Sequence, residues 1–242
     1  MIDLRVFGTL ALESDSREGA SLLVAQPKAV ALVVFLAIAR PRGFHRRDRL
    51  VGLLWPDGSQ QDARAALRRT LDRVRELLGN DVFVSRGTEL LAVAQDRVQC
   101  DAIVFAAAID DGLLRDALDL YSGPLLPSFH VTDAGDFDDW LEEERAHYAD
   151  CATNAAWKLV ERYEANSELT NASQLARRVA RLRPTDERNL RKVLTMLARL
   201  GDRAAAVAEY KRFTDRLWKE YETRPSDDTQ RLIQRIRADV VT

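Results

Sequence analysis

The sequence predicts a mixed, mainly α-helical protein: an N-terminal winged helix-turn-helix followed by an all-α domain of tetratricopeptide-like helical repeats. Three helical patterns between residues 27 and 79 precede two β-prone runs with the signature of a hairpin. Small and apolar residues recur 34 positions apart in the second half. Residues 1–99 carry a net charge of +3 and residues 100–242 a net charge of −5. We therefore expect two domains, at 1–96 and 97–242.

Composition sets limits on the class of protein. The chain has 242 residues, of which 46% are apolar and 31% charged, as in a folded globular protein. The net charge is only −2, so a nucleic-acid site would need a local basic surface. Cys100 and Cys151 stand at no motif spacing, which favours a reducing compartment. The longest apolar run, 29–39, is too short for a membrane span, and we expect a cytoplasmic protein without membrane contact.

The elements before the basic region are short. Residues 2–12 alternate as a strand with a possible bulge at Gly8, and residues 21–25 suggest a second strand of a small antiparallel sheet. Pro27 opens an apolar helix over 28–40. A second, shorter helix covers 50–55, where Trp55 is interpreted as a core anchor rather than a base-stacking group.

Residues 62–79 predict an amphipathic helix that carries five arginines. Its apolar arc comprises Ala63, Ala66, Leu67, Leu71, Val74, Leu77 and Leu78. Arg64, Arg68 and Arg75 lie within about 40° of one another on the helical wheel. Arg69 and Arg73 flank the polar arc on its other side. Such a helix is either a solvated surface helix with Arg/Asp pairs or a helix that enters DNA.

Two neighbouring features favour DNA binding over the surface-helix reading. A second basic run, 45–49, lies upstream, and the β-prone runs 82–84 and 90–93 flank a hairpin tip at 85–89. In a winged helix the third helix enters the major groove and the hairpin contacts the backbone or the minor groove.

The second half has the period of a helix-turn-helix repeat that binds a peptide or helix on its concave face. The pairs 34 apart are Ala156 and Leu190, Tyr163 and Leu197, Ser167 and Gly201, Ala172 and Ala206, Ala176 and Tyr210, and Val179 and Phe213. The second copy matches well, the first is degenerate at its turn, and Leu232, Ile233 and Ile236 suggest a terminal capping helix.

Several motifs together resemble a known family. They are Pro27-Lys28-Ala29, Arg47-Asp48-Arg49-Leu50, Leu53-Leu54-Trp55-Pro56-Asp57, the 63–69 and 71–75 runs, Val98 to Asp101 and Phe105, the run 117–126, and Trp140 to Arg145. The chain resembles the Streptomyces antibiotic regulatory protein (SARP) family. That resemblance implies a winged helix of the response-regulator type followed by a bacterial transcriptional activator domain. Gly87-Thr88-Glu89-Leu90 departs from the usual Gly-Tyr-Arg-Leu of the family, and the segment 128–139 is an extension to which no role is assigned.

The functional interpretation is a sequence-specific regulator that binds double-stranded promoter DNA. We expect base contacts from Arg64, Arg68 and Arg69, since arginine on guanine is the commonest specific contact. The side chains expected on the DNA backbone are Lys28, Arg46, Arg47, Arg73 and Arg75, and those expected in the wing are Arg86, Gly87 and Thr88.

Partners follow from the resemblance. It implies an activator that binds tandem direct repeats as two protomers, a possible homodimer on DNA. It also implies recruitment of RNA polymerase holoenzyme through the helical domain and through the turn formed by Asp57, Gly58, Ser59 and Gln60.

Other functions remain as alternatives. The chain could be a repeat-type protein-interaction scaffold whose winged domain contacts protein. The acidic residues between 133 and 144 could suggest a metal site but fit a helix N-terminus better. No catalytic, metal or cofactor motif stands at usable spacing, so we expect neither an enzyme nor a cofactor.

Overall fold

The computed structural model describes residues 1–14 and 16–238, and it has the winged part followed by helices that the sequence predicts. The chain forms two compact units, Met1–Tyr148 and Ala149–Thr242. The boundary expected at 96/97 lies inside the first unit, and as a division into domains it stays a prediction. The two units are described separately.

A three-stranded sheet begins the first unit. Strand β1 (Ile2–Arg5) pairs antiparallel with β2 (Ala11–Glu13) and parallel with the later strand β6 (Val98–Cys100). The single strand expected over 2–12 is wrong, because the Val6 and Phe7 N–H groups donate to the Asp101 carboxylate, which Val6 reaches at 3.0 Å, instead of continuing a ladder. The chain then turns at Gly8, whose φ is +74°.

The strand expected at 21–25 is also wrong, because these residues belong to helix α1 (Arg17–Val24). The Ser16 hydroxyl caps this helix by accepting from the Gly19 N–H at 3.1 Å. Ala20 and Leu23 are buried and stand three residues apart, which is helical spacing. A Cβ on Gly19 would meet the Leu77 carbonyl oxygen at 2.2 Å, so glycine allows the close packing of α1 on the arginine helix.

Helices α2 (Pro27–Ile38), α3 (Arg47–Leu54) and α4 (Gln60–Leu78) form the three-helix core of the winged part. Helix α2 is buried along most of its length, because elements of this unit cover it on several sides. No single helix in the described residues is long and apolar enough to cross a membrane. Only Glu18–Val24 and Pro27–Ile38 taken together reach that length and hydropathy, with a 99° bend between them.

The wing is the predicted hairpin with one additional strand. Strands β4 (Phe83–Arg86) and β5 (Leu90–Val93) pair antiparallel, with Arg86 opposite Leu90. The short strand β3 (His45–Arg46) pairs with the other edge of β5 and leads directly into α3. This pairing brings the upstream basic run to the wing.

Helices α5 (Asp101–Asp110), α6 (Leu114–Leu120) and the first part of α7 (Gly135–Ala165) complete the first unit. Phe7, Phe105, Tyr121 and Tyr148 form an aromatic cluster in which the Phe7 and Tyr121 rings are 4.8 Å apart. About two turns earlier in α7, the Trp140 ring lies 4.7 Å from Phe35 of α2. These contacts join the winged core to the helices that follow it.

The second unit repeats one helical hairpin with the period seen in the sequence. It contains the end of α7 and helices α8 (Leu169–Leu182), α9 (Glu187–Arg199), α10 (Arg203–Tyr221) and α11 (Asp227–Ala238). The Glu168 N–H donates to the Tyr163 carbonyl, and 34 residues later the Asp202 N–H donates to the Leu197 carbonyl, both at 2.8 Å. Ser167 and Gly201 occupy the same left-handed position, with φ of +60° and +79°. The first turn therefore keeps the repeat geometry despite its degenerate sequence.

Asn189 connects three helices of this unit. Its side-chain oxygen accepts from Trp157 Nε1 of α7 at 3.1 Å, and its amide donates to the Val179 carbonyl of α8 at 3.1 Å. At the end of the chain α11 buries Ile233 and Ile236, as expected of a capping helix. A buried amide with both of its groups bonded fixes one arrangement of the helices, because any other leaves polar atoms unpaired.

Candidate nucleic-acid interface

Helix α4 presents its three predicted base-reading side chains to solvent. The Ser59 hydroxyl accepts from the Asp62 N–H at 3.2 Å and caps the N-terminus, and the chain leaves the helix at Gly79 with φ of +110°. The buried face comprises Ala63, Leu67, Leu71, Val74, Leu77 and Leu78. Arg64, Arg68 and Arg69 are exposed. The amphipathic helix predicted over 62–79 is therefore confirmed.

Arg47 connects α3 to the wing and to α4. Its guanidinium donates to Ser85 Oγ at 3.3 Å, and its backbone N–H donates to the Glu89 carbonyl at 2.8 Å. Burial lowers the pKa of Arg47, the positive charges of Arg75 and Arg68 lower it further, and only Glu89 opposes them. Arg47 thus lies beside the wing within electrostatic range of two other guanidiniums, those of Arg68 and Arg75.

Arg64 is held by an acidic residue of α3. Its Nη2 lies 2.9 Å from Asp48 Oδ1, and the two side chains are 53% and 47% exposed. Asp48 stands in the first turn of α3, where a carboxylate is favoured by the helix dipole. The pair therefore positions one predicted base-reading arginine against α3 before any ligand is bound.

Arg69 lies on a different side of α4, about 100° around the helix from Arg68. It lines a surface pocket of about 360 Å³ together with Lys28, Trp55 and Asp133. The Lys28 amine lies 5.6 Å from the centre of the Trp55 ring. Within the described residues neither Arg68 nor Arg69 forms an ion pair, so both guanidiniums are available to a ligand.

The remaining predicted backbone-contacting arginines differ in their surroundings. Arg73 pairs with Glu76 at 2.6 Å, and Arg75 pairs with Asp72 at 3.3 Å. Both arginines are half-buried along the helix, and these pairs are the intrahelical ones expected of an ordinary surface helix. Arg46, in contrast, is exposed at the end of β3 beside the wing.

The tip of the wing is open to solvent. Arg86, Gly87 and Thr88 are all exposed, and Gly87 adopts a φ of +60° with no atom within 4 Å of a Cβ placed on it. The Arg86 guanidinium lies 4.4 Å from the centre of the Phe44 ring, which holds it against the upstream loop. The tip of the wing therefore carries one oriented cation, Arg86, next to a glycine in the left-handed region.

The turn between α3 and α4 is exposed at Asp57, Gly58 and Ser59, and Gln60 is the first residue of α4. Asp57 and Gly58 also line the pocket that contains Asp133. This turn is therefore adjacent to the segment that the sequence left without a role.

The segment 128–139 lies against the start of α2 and is held by hydrogen bonds to the first part of α7. The Arg145 guanidinium donates to the Leu125 carbonyl at 2.9 Å and to the Phe129 carbonyl at 3.0 Å. The Asp138 carboxylate accepts from the Val131 N–H at 3.0 Å. Val131 is buried and lines a small pocket with Lys28, at the start of α2. The acidic start of α7 thus serves to fold this segment.

Three residues of this surface were missed by the sequence analysis. Asp48 stood in the basic run 45–49, before the helix expected at 50–55, and nothing local indicated its pairing with Arg64. Phe44 lies beside Arg86, and Asp133 lies in the pocket with Arg69, because segments far apart in the sequence pack together. A single sequence carries no signal for such packing.

Comparisons with known proteins bear on both halves of the chain. Residues 88–237 match a family model described as Bacterial transcriptional activator domain. A solved structure, Mycobacterium tuberculosis EmbR in complex with low affinity phosphopeptide, matches with a TM-score of 0.59 and 19% sequence identity. The match covers 98% of this chain and 65% of that one, so this chain spans less than two thirds of EmbR. No curated protein sequence matches.

Proposed function

Because the chain belongs to the bacterial transcriptional activator domain family, and so to the SARP-type regulators that it resembles, we propose that it binds promoter DNA in a sequence-specific manner. In this role the protein is a cytoplasmic transcription factor and not an enzyme. Membership of the family supports a role in transcription, and the exposed arginines of the winged part support contact with DNA.

One observation carries the proposal: the crowding of Arg47, Arg68 and Arg75 beside the wing. The pKa of Arg47 is lowered first by burial and then by the positive charges of Arg75 and Arg68, so these like charges repel Arg47, which stays protonated. Bringing like charges together costs free energy that a polyanion recovers on binding. Crowded cations on a recognition helix and wing are therefore better explained by a phosphate backbone than by solvent.

The residue roles follow from exposure and pairing. Arg64, Arg68 and Arg69 are all exposed, and these three read bases in the major groove. Arg68 and Arg69 form no ion pair within the described residues, and Arg64 exchanges its contact with Asp48 for a base. The residues proposed for the backbone are Lys28, Arg46, Arg47, Arg73 and Arg75, with Arg86, Gly87 and Thr88 in the wing. Arg46 ends β3 and Arg47 begins α3, so both lie beside the wing, where their phosphate contacts set the register.

The partners are proposed from the family. Two protomers bind tandem direct repeats, and the exposed turn of Asp57, Gly58, Ser59 and Gln60 contacts RNA polymerase holoenzyme together with the helical part. The observation that supports a polymerase contact at this turn is its exposure next to α4.

Titration of the full chain with promoter fragments at several salt concentrations tests the proposal. Replacing Arg64, Arg68 and Arg69 together by alanine should abolish specific binding, because the base contacts are lost while the fold, which does not depend on these exposed side chains, is kept. Arg203→Ala, an exposed arginine of the second unit, is the matched control and should bind as the wild type does. Undiminished specific binding by the triple variant would show that α4 is not the recognition helix.

A second candidate is a protein-interaction scaffold, and one observation favours it. Helix α10 exposes the aromatic side chains of Trp218 and Tyr221, which are 57% and 61% accessible. Exposed tryptophan and tyrosine are enriched in protein interfaces. Retention of partner proteins without a salt-sensitive DNA complex would favour this candidate.

A further inference from the structure

A cavity of about 430 Å³ lies in the first unit between the winged core and the helix that follows the wing. Its walls come from Leu36 of α2, Val93 of β5, Cys100 of β6 and Val104 of α5. This volume falls in the range of small-molecule sites, which measure roughly 300 to 1,000 Å³. Four separate elements therefore meet around a space that their own side chains leave unfilled.

The walls of the cavity are apolar. Leu36, Val93 and Cys100 are all less than a tenth exposed, so the buried part of the lining consists of uncharged side chains. Burial and the charge of Asp101 raise the pKa of the Cys100 thiol to about 12, which keeps it protonated at neutral pH. The thiol therefore behaves as part of an apolar wall.

One cationic side chain, Arg42, stands in the lining. Arg40 pairs with Glu144 at 3.0 Å, and no carboxylate of the described residues pairs with Arg42. Arg42 and Asp96, the one acid of the lining, are both exposed, so the charged side chains stand at the mouth of the cavity and its buried part is apolar.

We infer that this cavity is a binding site for a small apolar carboxylic acid. The apolar part of the ligand fills the space between α2 and α5, and its carboxylate accepts hydrogen bonds from Arg42. A guanidinium binds a carboxylate through two parallel hydrogen bonds, which gives orientation as well as affinity. Because the walls belong to the core helix α2 and the wing strand β5, an occupied site ties both to α5.

The class of ligand is tested with octanoate, octan-1-ol and octylamine, which share a chain length and differ in charge. The full-length protein is titrated by NMR, and we expect saturable binding with octanoate preferred, at a dissociation constant of about 1 mM or tighter. Arg42→Gln should weaken octanoate by about tenfold and leave octan-1-ol unchanged. Arg203→Gln makes the same charge change in the second unit and should alter neither.

The position of the site is read from the same titration. Octanoate should shift the methyl signals of Val93 and Val104 in proportion to occupancy, because both side chains line the cavity. Val104→Phe, which fills the cavity, should abolish binding. Preference for octylamine, the absence of saturable octanoate binding, or octanoate binding that leaves the Val93 and Val104 signals unshifted would each overturn the inference. These readouts need no DNA, so they are independent of the proposed function.

Discussion

Neutralising Asp48 should strengthen DNA binding by releasing Arg64. The pair joins side chains that are 53% and 47% exposed, and exposed ion pairs contribute about 0.2 to 1 kcal/mol. Arg64 must give up this contact to reach a base, so Asp48→Asn removes a cost of that size. The change also removes a negative charge from the surface that faces the phosphates. We therefore expect affinity to rise by about two- to fivefold.

A double-mutant cycle separates the two contributions. Fluorescence anisotropy with one promoter fragment is measured for the wild type, Asp48→Asn, Arg64→Gln and the double variant. If Arg64 engages DNA, the gain from Asp48→Asn should shrink in the Arg64→Gln background, leaving only the general charge effect. An equal gain in both backgrounds, or a loss of affinity in Asp48→Asn, would refute the reasoning.

Three further predictions concern the wing, the repeat turn and acid sensitivity. Arg47→Ala should weaken binding to all sequences and flatten the slope of log affinity against log salt by about one, measured by titration at several salt concentrations. Ser167→Gly should raise the free energy of unfolding in urea by about 0.5 kcal/mol, because glycine removes the strain of a left-handed serine, and this gain exceeds the added freedom of the unfolded chain. Gly201→Ser should lower the free energy of unfolding for the same reason. Urea midpoints equal to that of the wild type in both variants would contradict the shared turn geometry. Burial opposes the ionisation of Glu187 and Asp202, but hydrogen bonds from Ser226 to the first and from Ser173 to the second outweigh it and lower both pKa values. Their stabilisation is present above the ordinary values of 4.5 and 3.8 and is lost as pH falls through the lowered ones, so a thermal melt should show less acid destabilisation in Asp202→Asn than in the wild type.

The sequence was informative where one element carries its own signals. Helix α4 has a capping serine, a buried stripe and a terminal glycine within one continuous stretch, so its limits could be read within two residues. The wing hairpin has the same property, since both strands and the tip lie within twelve residues. The repeat period survived in the turn at Ser167 because backbone geometry, rather than glycine itself, is what recurs.

Elements that depend on distant partners could not be read in this way. Residues 21–25 are apolar in a short run, which suits a strand or a helix equally, and packing on α4 through Gly19 decides for the helix. Strand β6 pairs in parallel with β1 across a long stretch of chain, with Val98 opposite Ile2. The position of Asp133 in the pocket with Arg69 and the pairing of Arg64 with Asp48 likewise depend on the fold. The sequence therefore could not show which arginines are exposed and which are paired.

The central claim is that arginines of α4 read bases in the major groove. The most direct measurement replaces single guanines of a selected site with 7-deazaguanine, which lacks the N7 acceptor, and titrates the wild type and Arg68→Ala with each DNA. At one position the wild type should lose about 1 to 3 kcal/mol of binding free energy, and Arg68→Ala should lose nothing further there. If the substitution affects both proteins equally at every position, Arg68 does not contact guanine and the recognition role of α4 is contradicted.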